Sequence, residues 1–387
     1  MGKKVMVMVG TTKGGFIFTS TPARKKWQSS DILFKSFRMM YMQHDPRDGR
    51  LHASVSHFVY GPTTQYSDDL GQTWTQARQV PAIPRASKAG RPPGTPDEAE
   101  SAASGDEAVK QRPEKLIKVW NITPGRESEP GVLYAGAEPS TLFVSRDRGE
   151  TWTLNDALYD HPHRAKWYPG AGGLCLHTIL PDPSNPDRMY IAISTGGVYR
   201  TDDGGQSWAP HNKNLRADFM PEKYPEYGQC VHKITLNPSN PNVLYQQNHC
   251  GMYRSDNGAE DWIDIGEGRL PTRFGFPVVV HPHEPKTVYV IPEESDEFHM
   301  SVNGQFAVWR SQDAGETWEE ETDGLPVNAR LVVLRDAFAA DTMEEAGLYA
   351  GTNTGQLFFS RDAGDHWDLL ADYLPPILSV KAAVIDE

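Results

Sequence analysis

The sequence predicts an all-β chain: a single seven-bladed propeller of four-stranded antiparallel blades, closed by pairing of the C-terminal strand with the N-terminal blade. Three observations carry that prediction. An eight-residue pattern recurs along the chain, paired β-type segments stand at fixed places before its copies, and each chain end lacks the strand that the other supplies. The 387 residues are 38% hydrophobic, ample for a large core, and contain 34 Gly, 30 Pro and 10 Trp, a profile of short strands and turns. Length alone would suggest two or three domains, but a repeat overrides that expectation and makes 1–387 one domain.

The pattern appears as Ser67-Asp-Asp-Leu-Gly-Gln-Thr-Trp74, Ser145-Arg-Asp-Arg-Gly-Glu-Thr-Trp152 and Thr201-Asp-Asp-Gly-Gly-Gln-Ser-Trp208. It returns as Ser255-Asp-Asn-Gly-Ala-Glu-Asp-Trp262, Ser311-Gln-Asp-Ala-Gly-Glu-Thr-Trp318 and Ser360-Arg-Asp-Ala-Gly-Asp-His-Trp367. A degenerate seventh copy keeps only Ser20 and Trp27. The residue types describe a hairpin clamp: Ser and Asp bond nearby backbone N–H groups, Gly supplies a positive φ, and Trp buries a ring between sheets. The aspartates are therefore expected to be structural rather than calcium ligands or catalytic acids.

From Ser145 the copies start 56, 54, 56 and 49 residues apart, slightly more than the ~40–50 of four-stranded blade repeats. Tyr134-Ala-Gly-Ala precedes Leu142-Phe-Val, Tyr190-Ile-Ala-Ile precedes Val198-Tyr-Arg, and Tyr349-Ala-Gly-Thr precedes Leu357-Phe-Phe. Upstream stand the turns Asp182-Pro-Ser-Asn-Pro186 and Asn237-Pro-Ser-Asn-Pro241. Each blade thus reads as an A–B–C–D meander with the repeated box at the C–D turn. The chain enters at strand B (Lys4–Gly10), and Ile377–Ile385 is a strand without a blade, so joining them removes an open edge.

The form Ser-x-Asp-x-Gly-x-Thr-Trp resembles the Asp box, or BNR repeat, of sialidases, sortilin-type receptors and several glycoside hydrolases. Gln246-Gln-Asn-His-Cys-Gly-Met-Tyr-Arg254 and Gly173-Leu-Cys-Leu-His177 are similar to segments of bacterial stand-alone BNR-like propellers, often labelled sialidase-like or glycosyl hydrolase. The resemblance runs from Ser20 to Trp367. Against sialidase activity, the chain lacks the Arg-Ile-Pro motif of that family and has seven rather than six blades. Its arginines cluster by the boxes (Arg146, Arg200, Arg254, Arg310, Arg361). The photosystem assembly factors, which resemble the chain in repeat and blade number, are not enzymes, so a scaffold is the alternative.

The formal charge of −13 argues against nucleic acid or an anionic membrane as partner, and no apolar run reaches the ~20 residues of a bilayer span. Val5–Val9 reads as a strand rather than the core of a signal peptide. The three cysteines, Cys175, Cys230 and Cys250, are too few for a disulfide framework, so a cytoplasmic protein with reduced thiols is expected.

In such a meander the A–B and C–D turns share one face, and the long B–C and D–A connections share the other. Function is expected on the second face. A Pro/Ala/Ser/Glu-rich insertion at about 78–114, with its core at Ala86–Gln111, is expected to be flexible. Counting from strand B, the B–C turns carry Glu138, Ser194, His249, Glu293 and Asn353, with His57 at the equivalent place near the N-terminus. His177 and His232 match in the innermost strands of adjacent blades, each two residues after a cysteine, and alternation places each Cys and His on one side of its strand. The catalytic candidates are therefore His177, His232, His249, Glu138 and His57, and the candidate walls are Trp120, Trp167, Tyr224, Glu293 and Asn353. His177, His232 and His249 are also candidates for a divalent metal. A hydrolase or lyase acting on a small polar molecule or saccharide is one expectation. The other is a binding or assembly propeller offering the same face to a protein or glycan.

Overall fold

The computed structural model describes residues 2–83 and 115–386. It forms seven four-stranded antiparallel sheets, each in simple meander order. In blade one Ile377–Asp386 lies innermost against Lys3–Thr11, followed outward by Gly14–Ser20 and Trp27–Ser29. The closure runs in register from Lys3 opposite Asp386 to Gly10 opposite Ser379, as the two incomplete ends require. Blades two to seven follow in chain order, with inner strands Arg38–His44, Lys118–Pro124, Leu176–Pro181, Val231–Asn237, Gly275–Val280 and Phe338–Ala340. The expected flexible core Ala86–Gln111 lies outside the described residues, as does all of 84–114.

The boxes hold the outer hairpins. In blade two Ser67 Oγ accepts from Gly71 N at 2.8 Å and donates to Asp69 Oδ1 at 2.7 Å, while Asp69 takes the amide and hydroxyl of Thr73 at 2.8 and 2.6 Å. Asp147, Asp203, Asp313 and Asp362 make corresponding amide contacts. The bonds from Thr or Ser at the seventh box position depress Asp69, Asp203 and Asp313 to about 2. Both carboxylate oxygens of each are engaged within its own turn. The box rings Trp152, Trp208, Trp262 and Trp367 are buried. At ~25 cal/mol/Å² over roughly 150–250 Å², each adds about 4–6 kcal/mol of transfer free energy. The strand-B tyrosines Tyr134, Tyr190, Tyr245, Tyr289 and Tyr349 are likewise buried.

One irregularity positions the site. The inner strand carries an extra, unpaired residue at the same depth in six blades, where its pairing with strand B shifts register. The bulge residues are Met40, Trp120, His177, His232, Phe276 (with Pro277) and Leu378. A β-bulge bends the strand and re-aims a side chain. Here all of them except His177 and Pro277 line the channel on the face that carries the B–C and D–A connections.

Candidate functional site

A cavity of about 560 Å³ opens at that face of the central channel. Five bulge residues, Met40, Trp120, His232, Phe276 and Leu378, supply its ring of inner walls. Loops close it from above: Gly170–Gly172 and Phe219 from D–A connections, and Thr195, His249, Asp296 and His299 from B–C connections.

The floor is ionic and crosses the ring. Arg335 and Asp336 precede the inner strand of blade seven. The Asp336 carboxylate takes Lys233 Nζ of blade five at 2.5 Å and Lys381 Nζ of blade one at 3.5 Å. Although burial opposes its charge, these lysines keep Asp336 below the usual carboxylate range. Arg335 is 9% exposed, lies 5.3 Å over the Trp120 ring of blade three and donates to Cys175 Sγ of blade four at 3.6 Å. No carboxylate among the described residues lies within ion-pairing distance of its guanidinium. A cation fixed in that way attracts a ligand's negative charge.

His232 is buried, its Nδ1 bonded to Gly275 O at 2.6 Å and its ring stacked on Phe276 at 4.6 Å between centroids. Burial holds its imidazole well below its ordinary pKa, hence neutral. His249, half-buried, places Nε2 3.1 Å from Asp296 Oδ2. Cys230, His232 and His249 each bring a donor atom within 4.8 Å of the other two. In blade six Glu293 is 1% exposed and its Oε2 lies 2.9 Å from Nδ1 of His299, which is 46% exposed in the cavity wall. Burial pushes the Glu293 carboxyl up to about 8, and its other oxygen has no hydrogen-bond partner. Around neutral pH the Glu293 carboxyl is therefore held in its protonated form.

Glu138 lies just beneath the wall, bonded through Oε2 to Lys118 Nζ at 2.9 Å and Trp120 Nε1 at 3.1 Å. Lys118 and Trp120 themselves line the cavity. Gly173 covers the carboxylate at φ +91°, where any Cβ would collide with it.

The other candidates lie elsewhere. His177 is fully buried, with Nε2 on Val231 O at 3.0 Å and Nδ1 on Thr178 Oγ1 at 2.9 Å, so both ring nitrogens are engaged between blades. Cys230 and His232 both line the cavity, whereas neither Cys175 nor His177 does. His57 sits among Phe37, Phe58 and Tyr60 away from the cavity. Trp167 is buried, donating to the Tyr199 hydroxyl at 3.1 Å. Tyr224 is half exposed beside Lys223. Asn353 clamps the Val332 amide at 3.1 Å. Arg335, Asp296 and His299 were not foreseen. The expanded B–C connection Glu293–Gln305 signalled His299, since an isolated bridge from Glu293 to Ser301 folds it back onto Glu293. Arg335 left no signal.

The BNR/Asp-box repeat family model matches residues 65–76, the box of blade two with its flanks. The chain is a propeller of Asp-box repeats. This Asp-box propeller is 24% identical over 216 residues to a Neosartorya fischeri protein provisionally named an oligoxyloglucan-reducing end-specific xyloglucanase, across 54% of this chain and 25% of that one. It is 26% identical over 170 residues to a xyloglucanase of Acetivibrio thermocellus, across 39% of this chain and 18% of that one. The Asp-box propeller thus spans a quarter or less of the length of these relatives. A solved Bacteroides uniformis structure, provisionally assigned as a 6-phosphogluconolactonase, matches with a TM-score of 0.55 at 10% identity, covering 99% of this chain and 100% of that one. A likeness at that identity speaks for the fold alone.

Proposed function

We propose that the channel mouth binds a saccharide-type small molecule carrying an acidic group and cleaves it by hydrolysis or elimination, with His299 moving the proton. The observation that carries this is the Glu293–His299 pair in the cavity wall. Glu293 positions the ring through Nδ1, leaving Nε2 to act as general base or acid. The bulge aromatics Trp120 and Phe276 offer flat faces for the C–H surface of a sugar ring, and Arg335 offers a charge for a carboxylate or phosphate. The xyloglucanases among the relatives support a saccharide as the substrate class.

A mechanism with two carboxyl groups flanking the bond has less support. It needs them ~5–9.5 Å apart, and Glu138 and Glu293 belong to blades three and six, three steps apart around the ring.

The test is turnover and binding across a panel of neutral and uronic-acid oligosaccharides, with His299→Gln alongside. A fall in kcat of roughly 10²–10⁴ with KM little changed is expected. Undiminished turnover by the variant would remove His299 from the chemistry. Absence of both turnover and binding at millimolar sugar would remove the saccharide. The second reading is a non-catalytic propeller offering this face to a protein or glycan, and it is favoured by aromatics exposed on B–C and D–A connections. Phe58 is 94%, Tyr168 77% and Tyr60 75% exposed.

A further inference from the structure

We propose that Cys230, His232 and His249 form a site for one divalent transition-metal ion of the zinc class, with an open coordination position facing the channel-mouth cavity. All three come from blade five, so the site is built locally. Cys230 and His232 flank the first residue of the inner strand and both line the cavity. His249 stands in the B–C turn, whose amide bonds to Cys230 O at 2.9 Å and so pins the turn to the strand's beginning. Three donor atoms already lie within 4.8 Å of one another. Tetrahedral zinc bonds of about 2.0–2.3 Å would bring them about 3.3–3.6 Å apart, a closure within reach of side-chain rotation at the half-buried Cys230 and His249.

The surroundings suit ligands. His232 Nδ1–H donates to the Gly275 carbonyl at 2.6 Å and His249 Nε2–H to the Asp296 carboxylate at 3.1 Å. Each acceptor fixes a tautomer and leaves the ring's other nitrogen with its lone pair, the arrangement that outer partners impose on metal-bound histidine. Phe274 and Phe276 pack against His232, while Phe219 and Phe274 pack against His249, screening the donors. One sulfur and two imidazole nitrogens select zinc, cobalt, nickel or copper over magnesium or calcium. All three residues line the cavity, so a fourth position would be open to water or ligand. Nothing here depends on the cavity's ligand being a saccharide.

The experiment is metal binding to the full chain, read without activity. The protein is stripped with chelator, dialysed, and titrated with Zn²⁺ in competition with a chromogenic chelator, then with Co²⁺ for the near-ultraviolet thiolate-to-cobalt band. One ion per chain with a dissociation constant below about 1 μM is expected. Cys230→Ser should abolish the cobalt band, and His249→Gln should weaken binding at least 100-fold. Asp296→Asn should weaken it about 10–100-fold through His249. His177→Gln, equally buried but outside the cluster, should bind as the parent does. Each variant's thermal melt is compared with the parent's, so loss of binding is scored only in folded protein. No binding tighter than about 10 μM, or tight binding unchanged in Cys230→Ser, overturns the site.

Discussion

Arg335 and Trp120 meet across the channel axis, the guanidinium carbon 5.3 Å from the ring centroid although one residue belongs to blade seven and the other to blade three. Their contact floors the cavity and holds a nearly buried cation with no carboxylate among the described residues at ion-pairing distance.

Arg335→Gln should weaken binding of glucuronate roughly 10–100-fold, the worth of a charge-assisted bond in a screened site, and that of glucose by less than about threefold. Arg335→Lys should restore little, since an ammonium neither stacks on Trp120 nor presents a planar fork. Calorimetric titration of both sugars reads the difference. An equal loss for both sugars would make Arg335 a packing residue rather than a charge sensor.

Glu293 sets a pH dependence of known sign. Its folded carboxyl titrates at about 8, against an ordinary value of 4.5. Between those values the folded chain keeps a proton that the unfolded chain has released, so this contribution is complete below pH ~4.5 and is lost as pH rises to about 8. Glu293→Gln removes the titration but keeps the shape. Chemical-denaturation midpoints at pH 5 and 8.5 should show the variant gaining on the parent at the higher pH. A constant difference would mean that Glu293 is ionised throughout.

The box aspartates have the opposite sign. Asp313 is depressed to about 2, first by the Thr317 hydroxyl, so its contribution is full above pH ~4 and disappears as pH falls toward 2. Asp313→Asn should cost about 1 kcal/mol at pH 7, discounted for exposure, and almost nothing near pH 2. The chain holds its own precedent in blade five, where Asn257 occupies the box position and uses its amide to reach Asp261 at 3.2 Å. Acid-unfolding curves of parent and variant should therefore converge at low pH.

The fold was legible because its signals are local and repeated. Ser, Asp, Gly and Trp at fixed offsets state a turn, and the unmatched strands Lys4–Gly10 and Ile377–Ile385 state how the ring closes. The site was legible only where a residue's depth along its strand decides its surroundings. His232, His249 and Trp120 reach the cavity for that reason. His177 stands at the matched position yet turns between blades, because a bulge frees its side chain from strict alternation and Val231 O captures the ring. Arg335 and His299 belong to segments without regular pairing, which periodicity cannot place.

Gly173 tests whether the two sides of the cavity act separately. Its φ of +91° suits glycine, and a methyl group there meets the Glu138 carboxylate, which Lys118 and Trp120 hold at 2.9 and 3.1 Å. Gly173→Ala should therefore push Glu138 off its partners and loosen the blade-three wall, at a cost of about 1–3 kcal/mol in stability. The Glu293–His299 pair lies in blade six and shares no bond with this cluster. If His299 moves the proton and the Trp120 wall only binds, the variant should raise KM several-fold and leave kcat within about twofold. A fall in kcat as large as that of His299→Gln would show that Glu138 takes part in the chemistry. Steady-state kinetics on any saccharide that the parent turns over distinguishes the two.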